Sequence, residues 1–130
     1  PRVCIVRPHS HPAGLELVDG TPYDFREARE VGRSVRLDTA YRGLRADEDG
    51  KWRVHVDLPN GTRHTVWGEV EAFPWLQVFT GKAEAQHAPP HGVAVEPMTC
   101  PPDAFNSGES LIRLEPGQSW TGTWGISTSS

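Results

Sequence analysis

Glycine and proline interrupt this chain from one end to the other, and that punctuation constrains the fold more than any other feature. Thirteen glycines and twelve prolines among 130 residues leave no room for a bundle of long helices. Proline removes a backbone donor and glycine adds conformational freedom that a helix interior must suppress. The runs between the breaks are short and rich in β-branched and aromatic residues, which reads as strands joined by turns. Trp52, Val54, Val56 and Leu58 alternate with Arg53, His55 and Asp57; Pro59-Asn60-Gly61 supplies a turn, and Thr62 to Val70 returns. This is a β-hairpin by period and by turn chemistry.

Further strands are expected at Leu15 to Val18, closed by Asp19-Gly20, and at Leu76 to Thr80, Gly92 to Val95, Leu111 to Leu114 and Trp120 to Ile126. Pro89-Pro90, Pro101-Pro102 and Pro116-Gly117 bound them. Cys4-Ile5-Val6 is an apolar stub that does not read as a strand, and Val35-Arg36-Leu37 is a short β-like run ahead of Asp38. Glu27 to Val31 alone has helical composition, enough for a turn or two. The Ser/Thr run from Ser127 to Ser130 reads as a disordered tail. Together these elements predict an all-β, antiparallel sandwich or barrel of about one domain.

A net charge of -4 argues against nucleic acid as a partner. No apolar run approaches the roughly 20 residues needed to cross a bilayer, and no signal-peptide pattern opens the chain, so a cytoplasmic protein with no membrane partner is expected. Cys4 and Cys100 lie far apart without a C-x-x-C pair, and both are expected as free thiols. The chain opens at Pro1 and its one methionine is Met98, which predicts a processed or truncated piece.

Three polar residues stand out. Glu96 closes the apolar run Gly92-Val93-Ala94-Val95 immediately before Pro97. A carboxylate there is costly unless solvated, paired or used, and burial among apolar neighbours would suit it to take and return a proton; a strand-end glutamate facing water is the plainer reading. Asp38 follows a β-like run and precedes Thr39-Ala40-Tyr41, where an ordinary turn aspartate would also sit. Gln77, between apolar residues, offers donor and acceptor at once, as sugar hydroxyls require, or faces solvent from an edge strand. Trp75 is either a platform for a sugar face or core. His9, His11 and Glu16 suggest a metal set of the cupin kind, but Pro8 and Pro12 bracket the pair and no later histidine completes it, so no metal and no cofactor are expected. Phosphate-cradling loops and nucleophile elbows are missing from the sequence.

Five blocks in order carry a resemblance: Gly20-Thr21-Pro22-Tyr23-Asp24-Phe25-Arg26, Leu37 to Tyr41, Ala72 to Gly81, Val95 to Asn106, and Leu114 to Trp120. In this order they resemble the C-terminal portion of an aldose 1-epimerase (galactose mutarotase). The resemblance covers about Leu15 to Ile126; residues 1–14 form a poorly matching N-terminal stub, and residues 127–130 are the tail. It implies a large antiparallel sandwich of the galactose mutarotase-like supersandwich type whose cleft holds a free aldose such as glucose or galactose. It also implies an isomerase that interconverts α and β anomers through an open-chain aldehyde, with a base at the C1 hydroxyl and an acid at the ring oxygen. By the same resemblance Glu96 matches the general base, Asp38 the carboxylate that binds sugar hydroxyls, and Gln77 a sugar-contacting amide. The motifs that supply the acid histidine and its sugar-gripping neighbours lie upstream of these blocks, and none of His9, His11, His55, His64, His87 or His91 sits in such a motif. The chain alone is therefore expected to be inactive or nearly so, since general acid catalysis is typically worth about 10²- to 10⁴-fold. The alternative is a carbohydrate-binding β-sandwich module that holds sugar without turnover. A sandwich cut short leaves bare strand edges, which invite self-association.

Overall fold

A computed structural model of the chain describes residues 4–6, 14–32, 35–81 and 92–130. Among the described residues, eight strands and one short helix follow in the order β1 (Cys4–Val6), β2 (Leu15–Leu17), β3 (Asp38–Arg42), β4 (Lys51–Asp57), β5 (Arg63–Glu69), β6 (Trp75–Phe79), β7 (Ala94–Met98), α1 (Ala104–Ser107) and β8 (Trp124–Ser129). They form a five-stranded sheet in the order β2-β1-β3-β6-β7 and a three-stranded sheet in the order β4-β5-β8. Every pairing is antiparallel, and the fold is the all-β, sandwich-like one expected.

The β4-β5 hairpin forms where its sequence places it, in a register running from Lys51 opposite Glu69 to Asp57 opposite Arg63. Its turn is closed by Leu58 N–H donating to Thr62 O at 2.8 Å and Gly61 N–H to Leu58 O at 3.0 Å. The Asn60 side chain accepts from Thr62 N–H at 3.0 Å, and Gly61 takes a φ of 86°, a left-handed conformation that glycine adopts without steric cost.

Alternation along the strands sends one face of each sheet into a shared core. Tyr41 and Leu76, opposite each other across β3 and β6, join Trp52 and Val66 of the smaller sheet, with Val18 and Phe73, in one buried cluster. The Trp52 indole lies across β5, where a side-chain carbon at Gly68 would come within 2.6 Å of its ring. Its Nε1–H donates to Phe73 O at 2.9 Å, so the buried indole leaves no polar atom unpaired. The Tyr41 hydroxyl donates to Tyr23 O at 3.1 Å, and burial raises its pKa to about 12.

Several elements depart from expectation. Cys4–Val6 is a strand, held between β2 and β3, because partners on both sides make up for a three-residue length. Glu27 to Val31 forms no helix; so short a segment cannot repay helix nucleation. Leu111 to Leu114 is not assigned to a strand. The last strand begins at Trp124 and runs through Ser129, so residues 127–129 are not a disordered tail. Ser127 and Thr128 pair with Thr65 and His64, and the Thr128 hydroxyl is 2.9 Å from His64 Nδ1. Residues β-branched or small and hydroxylated are at home in a strand once a neighbour supplies the ladder.

Candidate functional site

The other face of the five-stranded sheet carries the polar residues, and pairing register decides which of them meet. Asp38, Phe79 and Ala94 form one row across β3, β6 and β7; Ala40, Gln77 and Glu96 form the next; Arg42, Trp75 and Met98 form the third. Residues two apart on a strand share a face, so Asp38, Gln77, Glu96 and Arg42 all project from the side opposite Tyr41 and Leu76. Three segments far apart in sequence thus bring two carboxylates and an amide to neighbouring positions.

Gln77 Nε2 donates to Asp38 Oδ1 at 2.6 Å. An ionised carboxylate only accepts, so the amide nitrogen must turn toward Asp38. Gln77 Oε1 is then left buried without a partner among the described residues. Glu96 stands directly opposite Gln77 on β7 and is exposed, with no hydrogen bond or ion pair among the described residues. Cross-strand neighbours of this kind have Cβ atoms about 4.5–5.5 Å apart, within reach of one small ligand. The surface therefore offers carboxylate acceptors at Asp38 and Glu96 to the hydroxyls of such a ligand, with the Gln77 amide set between them.

Glu96 departs from its expected setting in two respects. It lies in the middle of β7 rather than at a strand end, because pairing continues through Pro97 opposite Leu76 and Met98 opposite Trp75. Proline is tolerated there since β7 is an edge strand and needs donors on one side only. Nor is Glu96 buried among apolar groups; it faces water.

Trp75 also needs correction as a sugar platform. It is 1% exposed, and the Arg42 guanidinium lies 5.0 Å from the centre of its ring, so its face is occupied by a cation. Arg42 Nη1 also lies 3.3 Å from Glu109 Oε1, tying β3 to the segment after α1. Sequence reading did not single out Arg42, although its place four residues beyond Asp38 on the same strand puts it on the same face. An open depression lined by Phe79, Thr80, Gly81, Gly92, Val93 and Ala94 adjoins the Asp38 row.

The described histidines lie elsewhere. His55 Nδ1 is 2.9 Å from Thr65 Oγ1 and His64 Nδ1 is 2.9 Å from Thr128 Oγ1, both in the β4-β5-β8 sheet. His9, His11, His87 and His91 lie outside the described residues, and with them both histidines of the metal set, whose Glu16 lies in β2. Among the described residues no three histidines, cysteines or carboxylates are grouped to hold a metal. Cys100 is a free, half-buried thiol; the Cys4 side chain lies outside the described residues. No helix among the described residues is long and apolar enough to cross a membrane.

Fold and site together define an all-β antiparallel protein displaying two carboxylates and an amide on one face of its larger sheet. The family model for aldose 1-epimerase matches residues 4–127, and the chain belongs to that family. A relative from Escherichia coli (strain K12), described as "Uncharacterized protein YihR", is 29% identical over 117 residues. Those residues are 90% of this chain and 34% of YihR, so the chain spans about a third of the length of the curated relative it matches. No solved structure matches the chain.

Proposed function

We propose that the face formed by β3, β6 and β7 is one wall of a sugar site for aldose 1-epimerisation, the interconversion of α and β anomers of free aldohexoses such as glucose or galactose. In this reading Glu96 is the general base that takes the proton of the C1 hydroxyl. Asp38 and Gln77 bind neighbouring hydroxyls, and no cofactor is required. The supporting observation is the juxtaposition itself: Asp38 bonded to Gln77 at 2.6 Å and Gln77 set directly opposite a solvent-facing Glu96.

Ring opening also needs an acid at the ring oxygen. The described histidines belong to the other sheet and are paired with threonines, so neither stands on this face, and in this reading the acid is the histidine of the family's upstream motif, which no histidine of this chain matches. The chain by itself then binds sugar but gives little or no turnover. Relaxation of fresh α-D-glucose, followed by polarimetry with the chain and with Glu96→Gln, tests this. Saturable sugar binding by a folded chain without acceleration supports the reading. Acceleration abolished by Glu96→Gln keeps Glu96 as base but shows that this chain contains its own acid. Acceleration untouched by the variant removes Glu96 from the role.

The second reading, a carbohydrate-binding module without turnover, is favoured by the lack of a described histidine on that face. It predicts that sugar binds equally well to the chain and to Glu96→Gln.

A further inference from the structure

The two sheets end in four edges among the described residues, and three of them are guarded. The β2 edge is three residues long. The β7 edge carries Glu96 and Pro97, a charge and a residue that cannot donate. The β4 edge carries Lys51, Arg53 and Asp57 at alternate positions. Short length, charge and proline are the devices by which natural sheets avoid pairing with further strands. The β8 edge has none of them: its six residues, Trp124-Gly125-Ile126-Ser127-Thr128-Ser129, include no charge and no proline.

The apolar surface also runs out to this edge. Ile126 lies opposite Val66 and Trp124 opposite Gly68, so both share the face that the smaller sheet turns to the core. Val66 is 8% exposed, yet Ile126 is 65% and Trp124 is 49% exposed. We propose that the β8 edge pairs with β8 of a second copy of this chain, joining two three-stranded sheets into a continuous six-stranded one.

The strand's own sequence favours a copy of itself. An antiparallel pairing centred on Ile126 sets Ile126 against Ile126, Trp124 against Thr128 of the second copy, and Gly125 against Ser127. Apolar meets apolar, small meets small, and no like charges oppose one another. Such a two-fold contact is isologous and closes at a dimer. It adds ladder hydrogen bonds and covers the apolar surface at Ile126 and Trp124.

Sedimentation velocity over a wide concentration range tests the pairing in the chain and in two variants, Ile126→Lys and Ile126→Glu. Ile126 is mostly exposed, and an unchanged far-ultraviolet spectrum would confirm that the variants fold. The expected result is a doubled mass for the parent chain, a halving to monomer in each variant alone, and a return of the doubled mass when the two variants are mixed, because position 126 faces itself. A monomeric parent, a dimer that either substitution leaves intact, or a mixture that stays monomeric would each overturn the proposal.

Discussion

At the scale of single residues, the proposed site depends on one hydrogen bond with an obligatory direction. An ionised Asp38 only accepts, so Gln77 presents its nitrogen and leaves its oxygen buried without a partner among the described residues. Gln77→Leu keeps the bulk but removes both functions, and sugar affinity should fall about tenfold, equivalent to about 1.4 kcal/mol; a fluorescence or calorimetric titration measures it. In the core, Trp52→Phe removes the donor to Phe73 O and strands a buried carbonyl, at a cost of about 1–3 kcal/mol in urea unfolding. The residue types that make up the site were legible in the sequence: a carboxylate, an amide and a carboxylate in β-like surroundings. Their meeting was not, because Asp38 and Gln77 are 39 positions apart and only strand register joins them. Trp75 shows the converse, since its apolar character fitted either core or platform until the Arg42 guanidinium was found over its ring.

At the scale of elements, local chemistry was legible and edge behaviour was not. The β4-β5 hairpin was readable because Pro59-Asn60-Gly61 closes it within a few residues. Gly61→Val should cost about 1–2 kcal/mol, since a β-branched residue resists the left-handed φ of 86°; a shift in thermal or urea midpoint reports it. β7 and β8 were misplaced because a strand's limits depend on its neighbours: an edge position admits Pro97, and a partner in β5 orders Ser127 and Thr128. Hydrogen bonds from arginines at turns and strand ends set an acid limit on stability. The hydrogen bonds of Arg26 lower Asp24 from 3.8 to about 2, those of Arg53 hold Asp49 below the usual carboxylate range, and those of Arg63 do the same for Asp57. A carboxyl whose pKa is lower when folded binds protons more readily when unfolded, so its stabilisation is complete above about pH 4 and is lost as pH falls toward 2. Urea midpoints measured across that range should drop with pH, and added salt should flatten the drop because these pairs are exposed.

At the scale of the whole molecule, two sheets share one core while their free faces and edges carry the features that look outward. The larger sheet turns Asp38 and Glu96 to solvent on the face away from the core, with the half-buried Gln77 between them, and the smaller ends at the bare β8 edge. The chain belongs to the aldose 1-epimerase family, whose model matches residues 4–127, and it spans about a third of the length of YihR. Fold class was legible from punctuation and alternation because both are local; the division into five and three strands depends on long-range pairing, which composition does not encode. The proposed function requires that the β3-β6-β7 face meet sugar. The most direct measurement is a backbone-amide NMR titration of the chain with D-glucose or D-galactose. Saturable shifts centred on Asp38, Gln77 and Glu96, and weakened in Gln77→Leu, are the expected result. Shifts confined to the β4-β5-β8 sheet, or none at high sugar concentration with a well-dispersed folded spectrum, would contradict it.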